Sequence, residues 1–335
     1  MPSSTASPIS RDQLLAAIAE PIAGALAETE RQLEALIPDQ MGGMVPVIYR
    51  HVLKAGGKRL RPMLALLSCV ASGGDPNDCV NLAMAVEVLH LSSLIHDDVI
   101  DEASQRRGRP SVRQQWGNRA SILVGDLLVA EVFSRMADEP GRAALAVLAQ
   151  SVARMCQSEL LEQDEDPLQL DERLYFDNIR GKTGALMAAA CEVGAIVSGN
   201  AAARQPLAEF GMDIGQGFQI IDDLLDLYGN SEALGKPVLQ DLGRGQWTLP
   251  VIRALQTASE AEAQQLRSLL VQAKESPAAA AEAAALTDQL GGREYAREKA
   301  QELVARAHGA LSQLPESPAR ESLRELASYA ISRQY

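Results

Sequence analysis

The stretch MAVEVLHLSSLIHDDVIDEASQRRG, Met84–Gly108, joins an apolar run to a cluster of like charges. Three aspartates fall within five residues, a glutamate follows them, and a pair of arginines comes soon after. The apolar part is typical of a buried helix, and carboxylates at the end of such a helix cost desolvation energy unless positive charge compensates them. The stretch therefore predicts a buried helix that delivers acidic side chains to a site where a cation is supplied.

Helical periodicity extends along nearly the whole chain. Between Leu15 and Ile37 apolar residues recur at steps of three, four and seven, so one helix is predicted there, with Pro38 ending it. Aromatic residues make up only 4%, which favours helix over sheet, and no alternating strand of convincing length is present. The predicted fold class is all-α, a compact helical bundle. Further helices are predicted over residues 45–55, 60–72, 78–102, 110–116, 118–138, 141–162, 171–199, 205–228, 248–256, 260–274, 278–290, 293–312 and 318–333.

The domain organisation follows from length and composition. A chain of 335 residues could form one large domain or two ordinary ones, but it has no proline-rich linker and no low-complexity block beyond Ala278–Ala285. The first ten residues, MPSSTASPIS, lack the basic start and the apolar core of a signal peptide. We therefore predict a disordered tail over residues 1–10 and a single domain over residues 11–335.

Charge and cysteine content bear on partners and location. A formal net charge of −13 argues against a nucleic-acid partner and against a polybasic membrane anchor. The best candidate for a membrane span, Gly184–Ala203, is only weakly hydrophobic and carries Glu192, so a buried helix and no stable membrane insertion are predicted. The four cysteines lack paired metal spacing and are predicted to be buried free thiols, as expected of a cytoplasmic protein.

A second acidic cluster echoes the first. SLIHDDVID, residues 93–101, and QIIDDLLD, residues 219–226, share an apolar lead-in followed by Asp-Asp-x-x-Asp. On a helix, Asp97 and Asp101 share a face, as do Asp222 and Asp226, and like charges at that spacing repel. A divalent cation would turn this repulsion into attraction, and oxygen-only ligands suit Mg²⁺ rather than zinc. Solvated helix ends are the alternative for one such run, but two copies favour a Mg²⁺ site.

Basic residues concentrate near these motifs in an otherwise acidic protein. Mg²⁺ held by carboxylates commonly binds phosphate, and Lys and Arg on adjacent loops complete a site for diphosphate. A solvated surface charge is the alternative for any one of these residues, and the spacing of a phosphate-binding Walker loop is missing. The residues are Lys58, Arg59 and Arg61 in GGKRLRP, Arg106, Arg107 and Arg109 in QRRGRP, Arg180 and Lys182 in RGKTG, and Lys236 in LGKP.

These motifs occur in the order of a known family. From about Val45 to the C-terminus the chain resembles the trans-polyprenyl diphosphate synthases, on the motifs GGKRLRP, HLSSLIHDDVIDEASQRRGRP, GNRASILVGD, GKTGALMAAACEVGA, GFQIIDDLLD and LGKP. The resemblance implies a prenyltransferase that joins isopentenyl diphosphate head-to-tail to an allylic diphosphate such as farnesyl or geranyl diphosphate. It also implies a single all-α domain around a deep central cavity, Mg²⁺ as cofactor, and a homodimer.

The resemblance assigns roles to individual residues. It implies Mg²⁺ ligands at Asp97, Asp101 and Asp222, with Asp98 and Asp226 as supporting neighbours. It implies a grip on isopentenyl diphosphate by Lys58, Arg61, His90 and Arg107. It implies contacts to the allylic substrate from Arg106, Lys182, Thr183, Gln219 and Lys236, of which Lys182, Thr183 and Gln219 are the catalytic group.

The chemistry explains this distribution of charge. Breaking the allylic C–O bond leaves a carbocation and a diphosphate anion, and Mg²⁺ with fixed cationic side chains stabilises the charge on the leaving group. The isopentenyl double bond then attacks and a proton is lost, which the family's mechanism assigns to the released diphosphate. The reaction therefore needs a clamp for a polyanion and a dry apolar cavity.

A histidine and a glutamine stand out beside the motifs. A histidine on an apolar helix is commonly a core residue, but His90 lies seven residues before Asp97 on the same face, which favours the site; His96 is assigned no role. Family members usually carry Gly-Lys-x-Thr-Leu-Pro after the second motif, whereas GQWTLP places Gln246 at the lysine position. This removes one cation, and Arg244 is the candidate replacement.

Product length is predicted from the helix that carries the first motif. Ser93 and Ser92, four and five residues before Asp97, lie one turn deeper, roughly 6 Å along the helix axis. Family members that make short products tend to carry bulky aromatic residues there. Two serines therefore predict an open tunnel and a medium- to long-chain all-trans product, from hexaprenyl to decaprenyl diphosphate.

Two other functions fit parts of the pattern. A terpene cyclase of the same helical architecture shares an Asp-rich motif, but its second metal motif is an Asn/Ser/Glu pattern and it has no need of GGKRLRP. A non-catalytic subunit of a two-chain prenyl synthase typically has degenerate acidic motifs, whereas both are intact here. The synthase is the function that the sequence favours.

Overall fold

The computed structural model describes residues 10–137, 142–164, 171–231 and 238–332. Its helices are α1 Arg11–Ile18, α2 Ala23–Ala35, α3 Val45–Lys54, α4 Leu60–Ala71, α5 Val80–Ile100, α6 Val112–Met136, α7 Arg142–Asp164, α8 Glu172–Ile179, α9 Ala185–Val197, α10 Ala201–Tyr228, α11 Gln240–Arg244, α12 Leu249–Thr257, α13 Glu260–Gln272, α14 Pro277–Gln289, α15 Gly292–Leu311 and α16 Pro318–Ile331. Short 3₁₀ turns occupy Glu20–Ile22, Asp39–Met41 and Pro76–Cys79, and a π-helical turn occupies Arg180–Gly184. One short hairpin pairs β1, Gln105–Arg106, with β2, Arg109–Pro110. The predicted all-α fold is confirmed.

Two element boundaries differ from the prediction for identifiable reasons. The first predicted helix is divided into α1 and α2 by the 3₁₀ turn that contains Pro21, because proline lacks the N–H needed to continue a helix. Residues 112–136, predicted as parts of two helices, run as α6 with a local break at Gly117, whose φ of 83° only glycine adopts readily.

Of the disordered tail predicted over residues 1–10, only Ser10 lies in the described part of the chain. Residues 1–9 of the predicted tail lie outside the described part of the chain. Ser10 belongs to the cap of α1, because its Oγ accepts a hydrogen bond from the Gln13 backbone N–H at 3.2 Å while Gln13 Oε1 accepts from the Ser10 N–H.

Close packing places the π-helical turn Arg180–Gly184 against α10. A Cβ added to Gly215 on α10 would lie 2.6 Å from the Gly184 Cα, and one added to Gly211 would lie 2.8 Å from the Ala188 Cα. Without side chains at these glycines, α10 lies directly on the π-helical turn and on α9. The turn that carries Lys182 and Thr183 is therefore held against the helix that carries the second acidic motif.

The buried α5 helix carries the first motif. It packs against α2, α4 and α6, and its side chains from Val80 to Ile95 are mostly buried. Among the described helices, the segment Pro76–Ile100 has the length and apolar character to cross a membrane, but 72% of its most apolar window is buried inside the protein, as in the core helix of a soluble protein. The sequence-based candidate for a span, Gly184–Ala203, forms α9 and the first residues of α10, and between Ala185 and Ala195 all its side chains except the half-buried Glu192 are buried.

The cysteines follow the prediction at three positions. Cys69, Cys79 and Cys191 are buried free thiols. Cys156 is exposed, so the prediction was wrong there: its side chain lies on the solvent side of the amphipathic α7 helix.

Candidate active site

Lys182 lies in the electrostatic field of both acidic motifs. Burial raises the pKa of the Asp97 carboxyl, near the end of α5, to about 7, and the nearby Lys182 ammonium opposes this rise. Burial also raises the pKa of Asp223, on α10, to about 7, and here hydrogen bonds from Tyr175 and Gln219 and the charge of Lys182 oppose the rise. The charge of Lys182 on the π-helical turn therefore acts on a half-buried carboxylate of the first motif and on a buried carboxylate of the second.

The first motif is linked to two arginines. Asp98 is buried, and its Oδ1 accepts a hydrogen bond from Arg106 Nε at 2.8 Å and lies 2.7 Å from Arg106 Nη2 in the same ion pair. Asp101 Oδ2 lies 3.2 Å from Arg244 Nη1. Because Arg244 ends α11, this ion pair connects the first motif to the segment that follows the second.

A chain of hydrogen bonds runs through the second motif. Thr183 Oγ1 donates to Gln219 Oε1 at 2.6 Å, and Gln219 Nε2 donates to Asp223 Oδ1 at 2.9 Å. The Tyr175 hydroxyl donates to the other oxygen, Asp223 Oδ2, at 2.6 Å. The structure thus places Thr183 in contact with Gln219, the two residues predicted to lie beside the allylic carbon, and adds Tyr175 and Asp223, which sequence analysis did not identify.

The last aspartate of the second motif stabilises a neighbouring helix. The carboxylate oxygens of Asp226 accept hydrogen bonds from the backbone N–H groups of Gln240 at 3.2 Å and Asp241 at 3.0 Å, in the first turn of α11. Asp222, half-buried, stands one turn earlier on α10. Asp226 thus positions α11, and its supporting role beside the metal ligands stays a prediction.

Two glutamates on α7 surround Lys182 and were missed by sequence analysis. The Lys182 ammonium lies 2.9 Å from Glu162 Oε2 and 3.3 Å from Glu159 Oε2. Burial alone would lower the pKa of Lys182, but Glu162 and Glu159 raise it above its ordinary value. Gln246 Nε2 donates to Glu162 Oε1 at 3.0 Å. The only sequence signal for these glutamates was their spacing of three residues in SELLEQD, which is also typical of a solvated helix face.

A second group of basic residues surrounds His90. Burial holds the pKa of His90 well below its ordinary value, and the guanidinium groups of Arg61, Arg107 and Arg106 add to this effect. Arg107 has a left-handed backbone with φ of 51°. Its guanidinium lies against Gly57, where an added Cβ would be 2.9 Å from Nη1. The structure thus brings together His90, Arg61 and Arg107, three of the four residues predicted to grip isopentenyl diphosphate.

The basic residues of GGKRLRP divide between structure and site. Arg59, whose φ is also 51°, lies 2.9 Å from the buried Glu87 and 2.5 Å from Glu30, so it ties α4 to α5 and α2. The Lys58 ammonium lies 5.1 Å from the centroid of the Tyr329 ring on α16. Lys58 is exposed, so its ammonium remains accessible to a substrate.

The other predicted site residues take varied positions. Ser92 is buried, and its Oγ donates to the Gly125 carbonyl of α6 at 2.9 Å, whereas Ser93 Oγ donates to the His90 carbonyl of its own helix. His96, to which no role was assigned, has its Nε2 3.5 Å from Asp126 Oδ1 on α6. Lys236 lies outside the described residues.

The donor atoms fit a hard divalent cation, although the structure does not gather them into one cluster. Within the described ranges, no three acidic, histidine or cysteine side chains lie close enough to hold an ion together, so Asp97, Asp101 and Asp222 do not form such a group. Carboxylates near Lys182 nevertheless supply oxygen ligands only, and burial has raised the pKa of Asp97 and Asp223. Buried carboxylates that lack sufficient positive charge are suited to Mg²⁺.

An all-α fold with a lysine in the field of two carboxylate motifs, and with arginines grouped beside His90, defines a helical enzyme for polyanionic substrates. Comparison with known proteins identifies its family. The polyprenyl synthetase family matches residues 44–287. The short chain isoprenyl diphosphate synthase of Methanothermobacter thermautotrophicus is 40% identical, over 85% of this chain and 89% of the relative. The all-trans-nonaprenyl-diphosphate synthase (geranyl-diphosphate specific) of Rhodobacter capsulatus is 35% identical, over 87% of this chain and 89% of the relative.

Comparison with solved structures supports the same family. The polyprenyl synthase from Caulobacter crescentus CB15, complexed with calcium and isoprenyl diphosphate, superposes with a TM-score of 0.89 at 32% identity, covering 98% of this chain and 100% of that one. This chain belongs to the polyprenyl synthetase family, and it is a prenyltransferase with the isoprenoid synthase fold. The family resemblance drawn from the sequence motifs is confirmed.

Proposed function

We propose that the protein condenses isopentenyl diphosphate head-to-tail with geranyl or farnesyl diphosphate in a Mg²⁺-dependent reaction. The observation that carries the proposal is the position of Lys182 in the field of Asp97 from the first motif and Asp223 from the second. An ammonium flanked by carboxylates suits a polyanion that arrives with a divalent metal. The Caulobacter relative complexed with calcium and isoprenyl diphosphate supports the same pairing of metal and ligand.

Two helices would hold the metal. We assign Mg²⁺ to Asp97 on α5, to Asp101 at the C-cap of α5, and to Asp222 on α10. When bound, Mg²⁺ would withdraw negative charge from the diphosphate leaving group. Asp98 serves this site by orienting Arg106, with which it is hydrogen-bonded.

The protein's own cations complete the stabilisation of the leaving group. Arg106, Lys182 and Lys236 supply fixed positive charge to the allylic diphosphate as its C–O bond breaks. Thr183 and Gln219, joined by their 2.6 Å hydrogen bond, present oxygen atoms beside the carbon that becomes positive. Tyr175 and Asp223 hold Gln219 in this orientation.

The isopentenyl diphosphate is assigned to the pocket around His90. Arg61, Arg107 and Lys58 supply the positive charge, and His90, whose pKa is held well below its ordinary value, remains neutral near pH 7. A neutral imidazole still donates one hydrogen bond to a phosphate oxygen. The reacting double bond is thereby held next to the allylic site, where proximity lowers the barrier to condensation.

The product is proposed to be a medium- to long-chain all-trans polyprenyl diphosphate, from hexaprenyl to decaprenyl. Small residues at Ser92 and Ser93 support this range, as does the nonaprenyl synthase relative. The 40% identical relative is a short chain synthase, so identity alone does not select the product length. Chromatography of products formed with excess isopentenyl diphosphate tests the assignment.

We also propose that the protein is a cytoplasmic homodimer and that each chain forms a single domain from residue 11 onward. We expect no nucleic-acid partner and no stable membrane insertion. Ile122 and Leu123 on α6 and Leu160 and Leu161 on α7 are large apolar side chains exposed by 45% to 64%. Exposed apolar residues on two helices are suited to burial against a second copy. The homodimer predicts a mass of twice 35.9 kDa in light scattering, and a Leu160→Glu, Leu161→Glu variant should be monomeric.

One assay tests the reaction. The purified protein is incubated with radiolabelled isopentenyl diphosphate, farnesyl diphosphate and Mg²⁺, and elongated prenyl diphosphates are expected. A cyclic hydrocarbon would indicate a terpene cyclase instead. Activity that requires a second, different chain would indicate a partner subunit, and elongation that persists in excess EDTA would refute metal dependence.

A further inference from the structure

Glu162 on α7 is shared by two side chains from distant parts of the chain. Its Oε2 accepts from the Lys182 ammonium at 2.9 Å, and its Oε1 accepts from Gln246 Nε2 at 3.0 Å. Glu159, one turn earlier on α7, lies 3.3 Å from the same ammonium. The side chains of Glu162 and Glu159 are 21% and 19% exposed, so these contacts are partly shielded from water.

The two glutamates compete with any anion for Lys182. A diphosphate that approaches the ammonium must displace these carboxylates or bind beside their negative charge. Removing one carboxylate should therefore strengthen diphosphate binding rather than weaken it.

Gln246 has a defined part in this arrangement. Because its amide occupies Oε1, the Glu162 carboxylate stays oriented with Oε2 towards Lys182. An amide is neutral, so it orients Glu162 without compensating its charge. A lysine at this position would form an ion pair with Glu162 and draw the carboxylate away from Lys182.

We propose that Glu162 and Gln246 are positioning residues that restrain Lys182 and set the affinity of the allylic site for diphosphate. The proposal rests on the proposed function, because it assumes that Lys182 contacts the allylic diphosphate. It makes Glu162 an internal counter-ion that lowers affinity for the allylic substrate and for the inorganic diphosphate that the reaction releases. Gln246, at the usual lysine position, preserves that restraint.

Glu162→Gln is the direct test. Titration calorimetry with inorganic diphosphate and Mg²⁺ should give a Kd lower by about tenfold, close to the lower end of what one charge-assisted hydrogen bond contributes. The KM for farnesyl diphosphate should fall similarly while the KM for isopentenyl diphosphate stays unchanged. Glu192→Gln is the matched control, because it removes the same charge and also breaks an ion pair, to Arg204 at 2.7 Å, on a different part of the fold.

Gln246 variants test the second member of the pair. Gln246→Lys should lower the Kd for diphosphate to a similar extent, whereas Gln246→Ala should lower it by about twofold to threefold, as expected when only the orientation of Glu162 is lost. Glu162→Asp, which keeps the charge, should stay close to wild type.

The outcomes separate this proposal from the proposed function. Absence of elongation in the wild type would refute the proposed function, whatever the calorimetry shows. Normal elongation together with weaker or unchanged diphosphate binding in Glu162→Gln would overturn the restraint on Lys182 alone. If Glu162→Gln does not fold, as judged by circular dichroism, an unchanged Kd in Gln246→Lys and Gln246→Ala would overturn it equally.

Discussion

Arg106 Nε donates a hydrogen bond to Asp98 Oδ1 at 2.8 Å and its Nη2 lies 2.7 Å from the same oxygen, whereas its neighbour Arg107 lies against Gly57. The left-handed backbone of Arg107 directs its guanidinium to Gly57, and its charge contributes to the low pKa of His90. The two adjacent arginines thus make different contacts, Arg106 with the first acidic motif and Arg107 with Gly57, while the charges of both act on His90.

This divergence predicts different kinetic defects for the two arginines. Arg107→Ala should mainly raise the KM for isopentenyl diphosphate, and Arg106→Ala should mainly impair use of the allylic substrate. Loss of a charge-assisted contact of this kind costs roughly 1.5–3 kcal/mol. Steady-state kinetics with each substrate varied in turn measures both effects, and identical profiles for the two variants would contradict the division.

Site residues that a local sequence pattern determines could be predicted from the sequence, whereas those determined by contacts between distant segments could not. Local periodicity was enough to place α5 and α10, and a fixed motif spacing was enough to locate Asp97 and Asp222. No local sequence pattern singles out Glu162 as a site residue. Its contact with Lys182 depends on how α7 packs against the π-helical turn, where Ser158 lies against Gly181. Such a contact between distant segments is not encoded in either segment alone.

Asp226 also shows where prediction from the sequence stops. Helical spacing predicted that it shares a face with Asp222, and the family resemblance gave it a supporting role beside the metal ligands. Neither indicated that its carboxylate caps the start of α11, a short helix that begins fourteen residues further along the chain, by accepting from the backbone N–H groups of Gln240 and Asp241. Periodicity identifies the face of a residue but not the partner that the fold brings to it.

Loss of either principal metal ligand should abolish most activity. Asp97→Ala or Asp222→Ala is expected to reduce turnover by at least ~10²-fold, the scale of removing key electrostatic stabilisation. Helical content by circular dichroism should hold or rise, because repulsion between carboxylates is relieved. Asp126→Ala, on the exposed side of α6, is the control. Near-normal turnover in either motif variant would refute the metal assignment.

The low pKa of His90 predicts an acid-sensitive fold. Below about pH 6.5 histidine gains a proton in the unfolded chain, while folded His90 stays neutral, so acid favours unfolding. The stabilising contribution is therefore complete above pH 6.5 and is lost at up to about 1.4 kcal/mol per pH unit as pH falls towards the folded pKa. The Tm of wild type should drop more between pH 7.5 and pH 5 than that of His90→Gln. Equal drops in Tm for wild type and His90→Gln would refute this contribution of His90, and His308→Gln is the control.

Arg244 is predicted to replace the cation missing at Gln246. Its guanidinium lies 3.2 Å from Asp101, so it already reaches the first motif. Arg244→Ala should raise the KM for farnesyl diphosphate by up to about fivefold, the upper range for a partly exposed ion pair, and Arg244→Lys should stay near wild type. In the Arg244→Ala background, Gln246→Lys should restore affinity. An unchanged KM in Arg244→Ala would show that no compensation occurs at this residue.

Product length should respond differently at the two serines of α5. Ser92 is buried against the Gly125 carbonyl of α6, so Ser92→Phe must displace α6 and should lower the Tm as well as shorten the product. Ser93 is only half-buried and bonds within its own helix, so an aromatic ring there meets less resistance. Ser93 is therefore the better position at which to test the tunnel.

Ser93→Tyr is expected to shorten the product by several isoprene units while the first condensations continue. The ring would stand about 6 Å below Asp97 along α5 and would stop elongation when the far end of the prenyl chain reaches that depth. Chromatography of radiolabelled products, after excess isopentenyl diphosphate, compares wild type with Ser93→Tyr and with Ser93→Ala, which keeps a small side chain and should keep the long product. A wild-type enzyme that stops at geranylgeranyl diphosphate under these conditions would refute the open tunnel, because the product would then be limited by something other than these two serines.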